Sequence, residues 1–497
     1  MSILSSTGAP LGDETPRLSP EQLGALLETA IRPLTAAEYG SQRWHSMYTA
    51  TERLCMHSTL AVREGREDTV TDAIIERTGA LATLVHHLQV ARAWKRFVLP
   101  RVRKHAATHA AVVAYAVMAY EPSLMVLLQA CLFKRDAVDA AADVLVDLVD
   151  IAADGIVGLV ADPDRPPIPT AEGAAGATQL SELETVMQQE KKCTFDSSLH
   201  ALAVIAHLSH HTSHLPLSVR ERLTHTRDVI YLLASLLDRR PWEQKARATA
   251  KGPLVTYMYA DGAWTARATA EDADLVCKPE ALAWMALTQL LLDADVQRRY
   301  EITEHRRAAL LSLLAQFERN QSLLTQLPFL EHTMRYLLTI QLSDPSELAG
   351  TSSGISIAGL VEALPSLEPV SADWPAVASE FVAKHATPAA NQALAVTLAS
   401  VYDWSMLEAM SESDPQCATC GAPATQRCSG CRAEWYCSRP CQIKGWKSGG
   451  HKKLCALMAT PLPSPAIADS AEESVGGSED ATFAHSVPIR EARIQEL

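Results

Sequence analysis

The chain has 497 residues, more than one globular core usually holds, and its 58 acids against 44 Lys and Arg leave a net charge of −14. An acidic bulk of this size argues against general binding to nucleic acid or to anionic membranes, and acids spread this evenly read as a solvated surface. The first residues lack a basic-then-apolar leader, and the apolar uncharged stretch His105–Tyr120 carries two His and a Thr and is too short and polar to span a membrane.

Residues 1–19 are rich in Ser, Pro and Gly and are expected to be disordered. Pro20 then opens a helix in which Leu23, Leu26, Leu27 and Ile31 share one face. From there to about residue 345 the pattern is almost wholly helical. Apolar periodicity predicts helices at Ala37–Glu64, Asp68–Glu76, Leu81–Val90, Ala93–Val102, Ala106–Ala119, Pro122–Leu132 and Ala137–Ala161. It predicts more at Gln179–Gln189, Leu199–Ser209, Ser218–Leu237, Pro279–Leu292, Arg298–Asn320 and Leu330–Leu342. Many short amphipathic helices with short connectors imply an all-α fold. With no clean repeat period, this is an irregular armadillo/HEAT-like α-solenoid over residues 20–345.

One β-like interruption stands out. The run Leu254-Val-Thr-Tyr-Met-Tyr, then Asp261-Gly262, then Ala263-Trp-Thr, is a hairpin signal. Residues 162–177 are rich in Pro, Gly and Ala and read as a surface loop, and 346–372 as a linker. Helices return in the segment 373–412, at Trp374–His385 and Pro388–Met410, and lead into a Cys-rich module at 413–458. The tail, 459–497, sets two Arg against seven acids and is expected to be disordered.

Of the eleven Cys, Cys55, Cys131, Cys193 and Cys277 are scattered through apolar helical contexts and read as reduced core residues. A cluster of His200, His207, His210, His211 and His214 could place imidazoles on one helix face. No carboxylate or Cys at matching spacing accompanies them, so a polar face that happens to use His is the preferred reading.

The other seven Cys are concentrated. Cys417 and Cys420 form one CxxC, and Cys428 and Cys431 a second. Cys437, Cys441, His451 and Cys455 follow. Zinc takes four N/S ligands in a tetrahedron, so eight such groups imply two closed sites holding two Zn²⁺. Closed sites leave no position for a reacting water, which points to binding rather than catalysis. A module this small cannot bury enough apolar area to fold alone, so metal supplies its folding free energy. Residues Cys417–Cys455 carry seven Lys and Arg against the single acid Glu434, and counting seven thiolates and two zinc ions leaves about +3.

The two CxxC pairs, Trp435-Tyr436-Cys437, Cys441-Gln442, Trp446 and the HxxxC at His451 resemble the MYND-type zinc finger. That resemblance implies interleaved ligands. Cys417, Cys420, Cys437 and Cys441 would hold one zinc, and Cys428, Cys431, His451 and Cys455 the other. One departure is the four residues between Trp446 and His451, where the family usually has two. The resemblance also implies that Gln442 and Trp446 line a groove for peptides, often proline-rich ones. The bland alternative for Trp446 is packing against the zinc loops.

The likeness extends into the body. Leu81–Pro100, Tyr120–Val149, Pro241-Trp242, Trp284–Tyr300 and Leu327-Pro328 resemble segments of a MYND-finger family of dynein axonemal assembly factors. What this implies is a non-enzymatic cytoplasmic scaffold, acting near the ciliary base or centriolar satellites. It would help preassemble outer and inner dynein arms with a leucine-rich-repeat assembly factor, an Hsp90-type chaperone and an FKBP-type co-chaperone. Dynein arm chains would be the clients, with neither nucleic acid nor a membrane span involved. The competing expectations are a ubiquitin-ligase adaptor and a transcriptional corepressor adaptor, each using the finger to bind peptides. No Lys/Arg-rich import run or DNA-reading pattern supports the second. A SET-type methyltransferase, which can also carry such a finger, is set aside because only helices precede the finger. Nucleotide-binding, HExxH and GxSxG motifs are absent as well.

Overall fold

A computed structural model of the chain describes residues 17–104, 111–161, 165–168, 182–247, 253–260, 262–267, 274–320, 322–343, 370–385, 387, 394, 417–420, 422–429, 434–447, 451–452 and 455. The expected disordered ends, apart from 17–19, lie outside these residues. So do the linker apart from 370–372 and the helix Pro388–Met410 apart from Leu394. The larger of two compact units comprises Pro20–Ser58 and Asp68–Ala395, and the finger falls in the other.

The helices begin with α1 (Pro20–Ala30), α2 (Gln42–Arg63), α3 (Thr69–Glu76), α4 (Ala80–Phe97), α5 (Leu99–Arg103), α6 (Ala111–Leu132), α7 (Asp136–Ala140) and α8 (Leu145–Ala161). They continue with α9 (Glu182–His210), α10 (Leu217–Glu221), α11 (Val229–Arg239), α12 (Lys278–Leu292), α13 (Ala294–Arg299), α14 (Glu304–Ser312), α15 (Leu314–Arg319), α16 (Leu323–Gln326), α17 (Leu330–Leu342) and α18 (Trp374–His385). The long ones stack in two rows. In one row α4 packs on α6, α6 on α9, α9 on α12 and α12 on α17. In the other α8 packs on α11 and α11 on α14, while α8 also meets α9, α11 meets α12 and α14 meets α17. Each helix thus packs chiefly on near neighbours in its stack, which is the logic of a solenoid.

Several expected boundaries move, each for a tertiary reason. Pro122 does not end a helix. It sits inside α6, which is gripped by α4 and α9, and the Ser123 hydroxyl donates to the Ala119 carbonyl at 3.0 Å. The apolar run therefore continues, and Val113–Leu132 is long and apolar enough to cross a membrane by composition, yet two-thirds of its apolar window is buried as a core helix. The polar run 190–198 is likewise no break. Within α9, Cys193 and Phe195 are buried while Lys192 pairs with Asp196 at 2.7 Å, so the polar residues are one helix face. The predicted pair Leu81–Val90 and Ala93–Val102 is instead the long α4 followed by the single turn α5.

The chain breaks where none was expected, at Asp228. This residue adopts a left-handed conformation (φ 44°), accepts the Tyr231 amide at the start of α11, and also accepts from the Tyr300 hydroxyl at 2.7 Å and Arg306 Nε at 2.8 Å. A carboxylate with three donors on two elements holds a backbone state that costs a non-glycine residue of the order of 1 kcal/mol.

The expected hairpin forms, with Gly262 at φ +78° as the turn requires, between β2 (Leu254–Ala260) and β3 (Ala263–Arg267). A third strand, β1 (Glu243–Arg247), pairs antiparallel with β2 and was not anticipated, because its Glu, Gln, Lys and Arg carry no strand signal. The sheet packs on α9 through Phe195 and Tyr259, whose rings meet edge-on at 4.9 Å, and the Tyr259 hydroxyl donates to Asp196 at 2.6 Å. Trp264 Nε1 donates to the Pro166 carbonyl at 2.9 Å, so the described part of the expected surface loop is packed rather than loose.

Helix α18 returns to the N-terminal end of this unit. Trp374 stacks on Phe97 at 5.1 Å and Phe381 meets Trp94 at 5.0 Å. The site they join is an aromatic cluster of Tyr39, Trp44, Tyr48 and Tyr120.

Candidate zinc centre

The module is built on a two-stranded ribbon, β4 (Gln426–Arg427) and β5 (Trp435–Tyr436), followed by α19 (Arg439–Lys447). The ribbon pairs antiparallel with Gln426 opposite Tyr436. A hydrogen bond from the Ala418 amide to the Trp435 carbonyl (2.9 Å) ties the first CxxC to β5, and one from the Cys428 amide to the Glu434 carbonyl (2.9 Å) holds Cys428 beside the residue that precedes β5. The Thr419 hydroxyl donates to the Cys441 carbonyl at 2.8 Å, holding α19 over the first pair. Tyr436 is wholly buried among Cys417, Ala424, Cys428 and Cys455. Among the described residues, the apolar material of the finger's core is the Tyr436 ring, Ala424, part of Trp435 and the ligands themselves, so metal rather than burial must stabilise it.

The ligand atoms of Cys417, Cys420, Cys437 and Cys441 lie within 4.8 Å of one another. Three sulfur separations are 3.5 Å (Cys420–Cys437), 3.6 Å (Cys437–Cys441) and 3.8 Å (Cys420–Cys441). A tetrahedron with Zn–S bonds of about 2.3 Å has edges of about 3.8 Å, so the set fits zinc. Burial pushes the Cys417 thiol up, but the backbone amides of Cys437, Thr419 and Cys420 outweigh it and bring the thiol down to about 6, toward the thiolate that zinc requires.

Cys428, His451 and Cys455 form a second group, all buried, with Cys428 and Cys455 sulfurs 3.8 Å apart and His451 Nε2 3.2 Å from Cys428 Sγ. Three donors at these spacings fit one zinc. Cys431, the expected fourth ligand, lies outside the described residues, as do Ser448–Gly450 of the lengthened loop. Despite that loop, His451 reaches the site. The two groups interleave along the chain, the arrangement that the MYND resemblance implied.

Glu434 is the residue that sequence reasoning missed. Its carboxylate lies 2.8 Å from His451 Nδ1 and accepts from the Tyr436 hydroxyl. A carboxylate on the far nitrogen of a zinc histidine fixes its tautomer and aims Nε2 at the metal. As the lone acid of a basic module it stood out only as charge, and nothing in its spacing placed it beside His451.

On α19, Gly445 faces inward, where an added Cβ would lie 3.0 Å from the Tyr436 ring. Outward, Ile443 is 47% and Trp446 40% exposed, while Gln442 is half-buried. The Trp446 ring also packs on His451, centroids 5.7 Å apart. Trp446 therefore both covers the zinc ligand and presents apolar surface, and Ile443 joins it one turn away.

The five-histidine cluster is dispersed by packing. Burial drives His200 and His207 down to about 4. His200 Nδ1 meets Gln129 at 3.1 Å, His207 packs against Phe133, and His210 meets Gln289 at 3.0 Å. His200 and His207 are thus separately packed rings in helix interfaces, while His210 and His211 stay adjacent with ring centroids 5.0 Å apart. Cys55, Cys131, Cys193 and Cys277 are buried and unbonded to each other, and burial pushes the last three thiols up to about 12, which leaves them inert.

With this geometry in place, comparison with known proteins gives consistent results. Residues 417–455 match the MYND finger family. The chain is 28% identical over 467 residues to the zinc finger MYND domain-containing protein 10 homolog of Drosophila melanogaster, covering 88% of this chain and 98% of that one. Ubiquitin C-terminal hydrolase 15 of Oryza sativa subsp. japonica is 52% identical over 40 residues, 8% of this chain and 4% of the hydrolase. Ubiquitin carboxyl-terminal hydrolase 19 of Arabidopsis thaliana is 38% identical over 69 residues, 14% of this chain and 10% of that one. The hydrolase matches are confined to the finger region, whereas the Drosophila match takes in body and finger together. No solved structure matches.

Proposed function

We propose that this MYND-finger protein is a cytoplasmic scaffold and co-chaperone for preassembly of outer and inner axonemal dynein arms. The observation that carries the proposal is the reach of the likeness, which covers helical body and finger in the same order along nearly the whole of the Drosophila relative. The body segments named above resemble those of MYND-finger dynein assembly factors. A two-row helix stack offers a long surface suited to holding partly folded clients such as dynein arm chains. The first site, with four cysteine donors for one zinc, supports binding in place of metal catalysis, and Cys431 would close the second in the same way. In this reading the outer face of α19, with Gln442, Ile443 and Trp446, docks a leucine-rich-repeat assembly factor. The body works alongside an Hsp90-type chaperone and an FKBP-type co-chaperone.

Purification of the protein from ciliated cells, with zinc content measured in parallel, tests this. Dynein heavy chains and Hsp90-type chaperones should co-purify with a protein that holds two zinc ions. Ubiquitin-ligase subunits or corepressors in their place would keep the finger and overturn the function. Trp446→Ala should retain both zinc ions and weaken capture of the leucine-rich-repeat factor.

A further inference from the structure

The outer face of α19 is an apolar pair set among cations. Ile443 and Trp446 stand one turn apart and are exposed in a module whose described core is little more than Tyr436, Ala424, part of Trp435 and the zinc ligands. Arg439 and Lys447, both exposed, stand at the two ends of the same short helix, and Lys452 is exposed just beyond it. The opposite face is committed inward, through Gly445 against Tyr436 and Cys441 toward the first zinc.

The chain carries a complementary segment immediately after the last ligand. Beyond Cys455 come Pro461, Leu462, Pro463, Pro465 and Ile467, then Asp469, Glu472 and Glu473. Three prolines in five residues favour an extended strand with little ordering entropy left to lose. Its apolar side chains match Ile443 and Trp446, and its acids match Arg439, Lys447 and Lys452. The finger stays near +3 with its metals, and the tail sets seven acids against two Arg, so attraction is built into the pairing. From Cys455 to Leu462 the chain can reach about 24 Å, enough to wrap so small a module. A tether this short gives an effective concentration in the millimolar range, so even a weak contact is largely occupied.

We propose that segment 459–473 docks in cis on the Ile443–Trp446 face of α19 and competes there with partner peptides. This rests on the reading of α19 as a docking face. The tail is then an occlusion that a partner must displace, which sets a threshold on partner affinity.

The test uses a fluorescent synthetic peptide spanning residues 459–476 and two proteins, the full chain and the same chain ending at Met458. Anisotropy should show the peptide binding the shortened chain about tenfold or more tighter than the full chain, with affinity falling as salt rises. Ile443→Asp in the shortened chain should lower binding by about tenfold or more with zinc content unchanged, which separates a lost contact from an unfolded finger. Equal binding to both proteins, no binding to the shortened chain, or indifference to Ile443→Asp overturns the proposal. Capture of the leucine-rich-repeat factor by the full chain and by its Ile443→Asp variant reads the docking face separately. Capture lost in the variant while the peptide binds neither protein defeats the cis contact alone. Capture that survives in the variant defeats the docking face itself.

Discussion

Glu434 and His451 face each other across the finger, carboxylate oxygen to Nδ1 at 2.8 Å, with the Tyr436 hydroxyl donating to the same carboxylate. The contacts pass from Glu434, just before β5, to His451 and on to Cys428 Sγ at 3.2 Å. Glu434→Ala should therefore weaken the second zinc about 10- to 100-fold and leave the first unchanged. Competition with a chromophoric chelator, read as two release phases, measures this. If both phases match the parent protein, Glu434 has no part in holding the metal.

Two glycines should respond with opposite signs. Gly445→Ala places a methyl 3.0 Å from the Tyr436 ring and 3.2 Å from the Thr419 hydroxyl, both held in place, and should destabilise the finger by about 1–3 kcal/mol. Gly24, inside α1, has nothing within 4 Å of an added methyl, so Gly24→Ala should stabilise the helical body by about 0.5–1 kcal/mol. Zinc-release temperature reads the first and urea midpoint the second. A neutral Gly445→Ala would show that α19 is free to shift.

Lys95 and Glu121 form an ion pair at 2.6 Å with Lys95 also donating to Thr194 at 3.1 Å, which joins α4, α6 and α9. Burial pushes the Glu121 carboxyl up, yet the charges of Lys95 and Arg92 and the Lys95 hydrogen bond hold it below the ordinary range. Lys95→Ala leaves that carboxylate buried and unpaired and should cost about 3–5 kcal/mol. The double variant Lys95→Met with Glu121→Leu should recover most of the loss. Urea unfolding of the three proteins decides it, and a double variant no more stable than Lys95→Ala would count against the pairing.

Acid should weaken the body. Burial lowers His87, His200 and His207 to about 4 from an unfolded value near 6.5. Between those limits the unfolded chain binds protons that the folded chain refuses, so stability falls as pH drops through the window and these groups have no effect above it. Each can contribute up to about 3 kcal/mol. Denaturant midpoints of the helical signal at pH 7.5 and pH 5 should differ, and His200→Leu should lessen the difference. A midpoint that is flat across this window would show these rings to be protonated in the fold.

Much of this was readable from residue order because it rests on local chemistry. Helical periodicity, the Asp-Gly hairpin and the ligand spacing are short-range patterns, and α17 and α18 match their predicted limits. What failed did so where a neighbour overrode the local pattern. Pro122 looks like a helix break until α4 and α9 close around α6, the polar run 190–198 looks like one until α6 and α8 pack on α9, and Glu243–Arg247 becomes a strand only because β2 offers it a ladder. In the finger, residue types and spacing announced two zinc sites, since four-ligand coordination imposes a spacing that a linear chain can display. Glu434 and Ile443 could not be singled out that way. One matters because folding brings it to His451, and the other because it faces outward. Both facts depend on direction in space, which a sequence encodes only through the packing of the whole module.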